Sequence, residues 1–279
     1  MIRKSSAELK LQARQALKGN YGTVVGAILI FYVMIMIVSM AVQFFVTFAT
    51  IGNIALGSAV NSPAVEVGSV VISFLSSLLI MAVEYMIIPG YMKLHLNICT
   101  GQHFEIGDLF YVFTHKPHKF LLLALVMWGV SMIFVVPVLL IVLLSVILPM
   151  AVTVFIGFVG FIAVYVGMFI LMLNLSMVFF IMVDDQEIGV IECLKESCRI
   201  MKGNKGRLFY IGLSFIGLCM LSMFSFGLAY LWVAPYMCAT STYFYLDIRG
   251  PRKEEVVWGE PAGGPAASDT GYTDYQNPV

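Results

Sequence analysis

Long hydrophobic runs alternate with short polar segments along this chain. Residues 23–48 carry no charged side chain. At 1.5 Å per residue, a helix of that length reaches about 39 Å, which exceeds the roughly 30 Å thickness of a bilayer core. The pattern predicts an all-α, polytopic membrane helix bundle with six transmembrane helices. We place these spans at about 23–48, 67–92, 120–147, 151–183, 208–224 and 228–246.

Two of the hydrophobic runs are too long for a single span. Residues 120–183 are uncharged throughout, and Pro149 is the best position at which to divide them. Residues 208–246 are also uncharged and divide at Ser225-Phe-Gly227 into two short spans. The alternative for the second run is one span followed by a re-entrant piece broken at Pro235.

A short amphipathic element precedes each pair of spans. Residues 5–18 read as a surface helix, with Ser5 and Glu8 in the spacing of a capping box. Residues 186–203 show the same helical periodicity, and 106–113 form a shorter stretch of this kind. The chain therefore reads as three hairpins, each preceded by an amphipathic helix, with a loop of small and polar residues at 49–66.

Two of these junctions share a sequence. Lys18-Gly-Asn20 precedes the first span and Lys202-Gly-Asn204 precedes the fifth, each with a Glu ten residues before the Lys. Lys116-Pro-His-Lys119 is a weaker relative before the third span. The similarity indicates either an internal repeat by duplication or the ordinary punctuation of helices by Gly and Asn.

Composition supports a membrane location. The 279 residues are 60% hydrophobic and only 11% charged, and the mean hydropathy is +0.94. Soluble domains carry about 25% charged residues, so most of this surface is expected to face lipid. We expect the five cysteines to be reduced thiols, because none falls in a segment placed outside the cell.

The basic residues set the expected orientation. Five lie before the first span, three between the second and third, five between the fourth and fifth, and three after the sixth, which accounts for all 16. The positive-inside rule then places both termini in the cytoplasm of a bacterial plasma membrane. An alkaline phosphatase fusion at Ser58 should be active, and one at Gln186 inactive.

The sequence argues against several classes of activity. It contains no phosphate-binding glycine loop and no H-E-x-x-H motif, and the four histidines fall in one polar segment without a metal-ligand spacing. No predicted span interior contains the His or Asp that an intramembrane hydrolase needs. We therefore expect a non-enzymatic protein without cofactor, metal or nucleic-acid partner.

Glu84 is the acidic residue within a predicted span, and Asn174 is its candidate polar partner in span four. Such a residue lines a solute pathway or is protonated and bonded to a neighbouring helix. The candidate contacts to anionic lipid headgroups are Lys18, Lys202, Lys205 and Arg207. The leading hypothesis is a role in envelope maintenance, lipid contact or regulation; the alternative is a small-solute transporter or exporter with Glu84 in its pathway.

Several short motifs occur in a recognisable order. They are Arg3-Lys-Ser-Ser6, Ala16–Asn20, Gly107-Asp-Leu-Phe110, Lys195–Asn204, Pro235-Tyr236 and Tyr245-Leu-Asp247. On these segments the chain resembles the bacterial membrane-protein family known as domain of unknown function 975. The resemblance covers roughly residues 1–250 and implies a six-span protein, mostly of Gram-positive bacteria, with no established activity.

The composition changes after residue 249. Residues 250–279 are rich in Gly, Pro, Ser and Asp and show no apolar periodicity, so we predict a disordered cytoplasmic tail behind a membrane domain of residues 1–249. Trp258, Tyr272 and Tyr275 give this tail either the character of a docking peptide for a protein partner or that of a solvated segment.

Overall fold

The computed structural model describes residues 3–60, 63–144 and 149–250, which are helical and contain no β-strand. Residues 251–279, which make up all of the predicted tail except Gly250, lie outside the described part. The α-helices are α1 (Ser6–Leu17), α2 (Tyr21–Val60), α3 (Pro63–Thr100), α4 (Tyr111–Thr114), α5 (Pro117–Leu144), α6 (Met150–Leu175), α7 (Val178–Asp184), α8 (Val190–Met201), α9 (Lys205–Leu213), α10 (Ile216–Phe224) and α11 (Tyr230–Arg249), with a 3₁₀ helix at Ile106–Phe110 before α4.

Five helical segments in the described residues are long and apolar enough to cross a membrane. They are Tyr21–Gly52, Val70–Thr100, Pro117–Leu144, Met150–Asp184 and Lys205–Phe224. The helix α11 is outside this set because its Ser, Thr and Tyr side chains reduce its mean hydropathy. It nevertheless continues unbroken through Pro235, so the sequence alternative of a break at that residue does not occur. The chain is therefore a membrane-embedded helical protein.

The region between α2 and α3 differs from the predicted loop at 49–66. Helix α2 extends to Val60 and α3 begins at Pro63, with residues 61–62 outside the described part. Proline is well tolerated at the first position of a helix, where its missing N–H has no intrahelical partner. The two helices pack against each other, and tertiary contact of this kind can override the weak helix propensity of Gly, Asn and Ser.

Two glycines of α6 lie close to side chains of α5. A Cβ atom on Gly160 would lie 2.6 Å from Ile141 Cδ1, and one on Gly167 would lie 3.3 Å from Phe134 Cε1. Small residues of this kind allow membrane helices to approach closely. Gly212 and Gly217 have no such role, because no atom of a neighbouring element lies within 4 Å of a Cβ built at either position.

Buried side chains concentrate at one end of the bundle. One group surrounds Leu9, Phe180 and Phe244, and an adjoining group surrounds Leu17 and Leu94. The surface elements α1, α4, α8 and the 3₁₀ helix pack there against the ends of α3, α7 and α11. We call this end the polar base, because the basic side chains of the described residues lie in these elements, in the residues directly beside them, or at the starts of α5 and α9.

Candidate functional site

The polar base is built on two similar surface helices. Both α1 and α8 have 12 residues. The predicted capping box is present in α1, where Glu8 N–H donates to Ser5 Oγ and Ser5 N–H donates to the Glu8 carboxylate. Each helix buries one stripe of side chains at a spacing of four residues, as expected for an amphipathic helix. These stripes are Leu9, Ala13 and Leu17 in α1, and Cys193, Ser197 and Met201 in α8.

The buried stripes of α1 and α8 face the helix bundle and contact its core. Leu9 and Cys193 both belong to the same buried group around Phe180. Cys193 Sγ donates to the Val178 carbonyl at 3.3 Å, and burial raises the pKa of this thiol to about 12. Cys198 is exposed. The surface that α8 presents outward carries the charged residues Glu192, Lys195 and Arg199 together with Ile191, which is 55% exposed.

The turns after α1 and α8 have the same backbone geometry. Lys18 and Lys202 end their helices with φ/ψ of −63°/119° and −63°/118°. The following glycines, Gly19 and Gly203, have φ of +91° and +80°, in the left-handed region that favours glycine.

The asparagines of the two turns also make the same contact. The side-chain amide of Asn20 donates to the Ala16 carbonyl at 3.2 Å, and that of Asn204 donates to the Ile200 carbonyl at 2.7 Å. Each therefore satisfies a carbonyl that the ending helix leaves without an intrahelical partner. Because both asparagines also accept the first backbone bond of the next helix, each turn fixes a surface helix against a long one.

The four candidate headgroup ligands fall into two groups. Lys18 and Lys202 are exposed and Lys205 is half-buried, and within the described residues none of these three ammonium groups has a hydrogen bond or ion pair. Arg207 instead forms an ion pair with Asp247 at 2.6 Å, with side-chain exposures of 18% and 9%. The lysines are therefore available to an external anion, whereas the guanidinium of Arg207 is used inside the protein.

An ion-pair network joins the distant parts of the base. Arg207 also donates to the backbone carbonyl of Lys4, and Arg3 donates to Asn204 Oδ1 at 2.6 Å. Arg249, at the end of α11, pairs with Asp184 at the end of α7. These contacts hold the N-terminal segment, α9 and α11 together, and separating either partner of such a low-exposure pair is costly.

The 3₁₀ helix and α4 complete the base between α3 and α5. Lys116, with φ of +50°, precedes Pro117 at the start of α5. Its ammonium donates to Glu187 Oε1 at 2.5 Å, and this contact lowers the pKa of the Glu187 carboxyl. Lys119 donates to the carbonyls of Gln186 at 2.7 Å and Ile188 at 3.1 Å. The start of α5 is thereby fastened to the segment that leads into α8.

A tight backbone approach anchors the 3₁₀ helix. A Cβ atom on Gly90 of α3 would lie only 2.1 Å from the Leu109 carbonyl oxygen. Only glycine at this position lets Leu109 reach its buried site against α3. The role of Gly90 was not predicted from the sequence, where its one signal is its position beside Pro89 at the end of a hydrophobic run.

The histidines do not form one loop cluster, which corrects the sequence prediction. Helix α3 continues to Thr100, and His95 is 0% exposed within it. Its Nδ1 lies 3.0 Å from the Tyr91 carbonyl, and the rings of Tyr91 and His95 are 4.4 Å apart. The other three, His103, His115 and His118, are exposed. Within the described residues, no group of His, Cys, Asp or Glu could hold a metal ion.

No hydrogen bond joins Glu84 to Asn174 within the described residues. Glu84 is half-buried in α3. The Asn174 amide donates to the Ile170 carbonyl at 2.9 Å in its own helix. The backbone carbonyl of Asn174 accepts a hydrogen bond from Ser197 Oγ at 2.7 Å, which ties the end of α6 to α8. This contact gives Asn174 a structural position beneath the base.

Comparison with known proteins identifies the family. Neither a search of curated proteins nor a search of solved structures found a match. A family model described as "Protein of unknown function (DUF975)" matches residues 1–252, which covers every element from α1 to α11. The chain therefore belongs to the DUF975 family.

Proposed function

We propose that this protein is a non-enzymatic integral membrane protein whose polar base binds anionic lipid at the inner leaflet of a bacterial plasma membrane. One observation carries the proposal: Lys18 and Lys202 occupy matched turns, are exposed, and have no partner for their ammonium groups within the described residues. A role in envelope maintenance or regulation would act through this contact.

The distribution of internal ion pairs supports lipid binding at these lysines. Lys116, Arg199, Arg207 and Arg249 each have an acidic partner, so their charges are balanced within the protein. Lys18 and Lys202 follow helices whose apolar stripes are already buried. The attraction to lipid is therefore electrostatic, at about 1 kcal/mol per lysine near an anionic surface.

The proposed topology has six spans as three hairpins, with both termini in the cytoplasm. Helix α11 is the sixth span, since its 20 residues reach about 30 Å. The same turn geometry after α1 and α8 supports the hypothesis that the two segments are copies of an internal repeat that arose by duplication. All basic residues then lie on one side of the membrane, as the positive-inside rule requires.

Thiol labelling tests this topology at two positions. In sealed vesicles, a membrane-impermeant maleimide should label Cys198 only when the vesicles are inverted, and Cys198→Ser should remove that label. Phe226, in the turn before α11, is 98% exposed. The Phe226→Cys thiol should be labelled from the outside of intact cells. Labelling of both thiols from the same side would exclude the six-span arrangement.

Lipid binding is tested with the full-length protein. In detergent, phosphatidylglycerol should raise the melting temperature of the wild type more than phosphatidylcholine does, because bound ligand stabilises the folded state. Lys18→Gln/Lys202→Gln should lose most of this difference, since two lysines contribute about 2 kcal/mol.

The matched control is Arg199→Gln, because Arg199 is an exposed cation that already pairs with Glu196 at 2.5 Å. This variant should keep the dependence on phosphatidylglycerol. Equal stabilisation by both lipids in the wild type, or equal losses in the lysine and Arg199 variants, would refute the proposed site.

A further inference from the structure

A crevice lies between α3, α5 and α6 within the segments that are apolar enough to cross a membrane. Its volume is about 400 Å³, in the size range of small-molecule sites. Its lining includes Met81 and Tyr85 from α3, Met127 and Phe134 from α5, and Met168 and Met172 from α6. Neither Glu84 nor Asn174 is among the lining residues.

The crevice results from the break between α6 and α7. Helix α6 ends at Leu175 and α7 begins at Val178, with Ser176 and Met177 between them. Beyond this break α7 packs against α3, where the rings of Tyr85 and Phe179 lie 5.1 Å apart. Before it, α6 packs against α5. The gap between α3 and α6 opens where the chain changes from one partner to the other.

We propose that this crevice binds one acyl chain of a membrane phospholipid. The helices that line the crevice are surrounded by lipid in a membrane. The molecules that can reach the crevice from the side are therefore lipids, and the part at this depth is an acyl chain. Two of the polar side chains in the lining are already satisfied, because Ser131 and Ser176 donate to carbonyls of their own helix. Four methionines supply a flexible, polarizable wall that adapts to a mobile chain.

The crevice lies near the middle of the bilayer. Met127 and Phe134 follow Lys119 by 8 and 15 residues of α5, which corresponds to about 12 and 22 Å along the helix. Lys119 is held at the polar base by the carbonyls of Gln186 and Ile188. A bilayer core is roughly 30 Å thick, so a crevice at this distance from the base extends across the midplane. The part of an acyl chain that enters it is therefore the part that lies near the centre of the bilayer.

The inference goes beyond the proposed headgroup contact and does not depend on it. The crevice contains no charged side chain in its lining, so a neutral lipid should occupy it as well as an anionic one. Phosphatidylcholine is therefore the suitable probe, since it separates this site from Lys18 and Lys202.

The test uses the full chain in nanodiscs of phosphatidylcholine that carries a photoreactive diazirine midway along one acyl chain. In the wild type, lipid adducts should concentrate on the peptides that contain Met127–Phe134 and Met168–Leu175. Ser131→Trp, which fills the crevice, should reduce those adducts severalfold. Leu125→Trp places the same ring on a 63%-exposed, lipid-facing position of α5 outside the crevice and should leave them unchanged.

The adduct map of the wild type decides the question even if Ser131→Trp fails to fold. Adducts spread evenly over the exposed faces of α5 and α6 would overturn the proposal, as would adducts that persist in a folded Ser131→Trp variant. Crosslinks between two protein chains at these peptides would also overturn it, since a second copy would then cover the crevice. Wild-type enrichment together with unchanged adducts in Lys18→Gln/Lys202→Gln would support it independently of the headgroup site.

Discussion

The two halves of this protein are packed by different rules. In the polar base, α1, α8 and the 3₁₀ helix cover the ends of the long helices, and residues such as Leu17, Leu94 and Leu123 are 0% exposed. In the apolar half, formed by 33–52, 70–84, 125–144 and 150–172, the side chains are mostly exposed. The most hydrophobic windows of α5 and of α6–α7 contain no buried residue.

This difference follows from the surroundings of each half. Water drives apolar side chains into a core, so the base has the dense interior of a soluble domain. Lipid tails are as apolar as leucine, so the apolar half gains little by closing its gaps. The base should therefore carry most of the stability, and the apolar half should tolerate change and admit lipid. Three experiments test how stability is divided between the base and the apolar half.

The largest difference in lost stability is expected between alanine variants of two leucines in α5. Leu123 is 0% exposed and Leu139 is 55% exposed. Leu123→Ala should cost about 2–5 kcal/mol, because the cavity it leaves cannot be filled by lipid. Leu139→Ala should shift the unfolding midpoint in detergent only slightly. Similar shifts for the two variants would mean that the base is not the stable half.

A smaller loss is expected from Gly90→Ala, which would force its methyl group into the Leu109 backbone. Overpacking of this kind costs about 1–3 kcal/mol and should loosen the 3₁₀ helix. Gly129→Ala is the control, since no atom lies within 4 Å of its Cβ position. Proteolysis between α3 and α5 should accelerate in the first variant alone. Equal protection of both variants would contradict the close contact.

The smallest effect is expected at the exposed pair of Lys116 and Glu187. The lysine lowers the pKa of the Glu187 carboxyl from its ordinary value of 4.5, so the pair stabilises the folded protein above that pH. The contribution disappears as the pH falls through the lowered pKa. Glu187→Gln should therefore reduce the melting temperature slightly at neutral pH and not at strongly acidic pH. If the melting temperatures of the wild type and of Glu187→Gln still differed at strongly acidic pH, the ion pair would not be the cause of the difference.

Local features of the base were predictable from local sequence. The capping box of Ser5 and Glu8 and the turn glycines Gly19 and Gly203 have the geometry that their residue types favour. Such features depend on contacts within a few positions of the chain, where propensity and hydrogen bonding decide the outcome.

Features that join distant segments were not predictable in the same way. The ion pair of Arg207 with Asp247 and the need for glycine at position 90 each depend on a partner at least 19 residues away. The spacing of Tyr91, His95 and Cys99 at intervals of four was the available sign that α3 continues past its hydrophobic run.

The sequence by itself determined that this is a helical membrane protein with amphipathic helices before its hydrophobic runs. Hydropathy and helical periodicity depend on the residues themselves and on the solvent around them. Only the tertiary structure decided which cations are neutralised and where α6 and α7 part to leave a crevice. Those outcomes depend on which helices meet, and contacts between distant segments have no signature in a single chain.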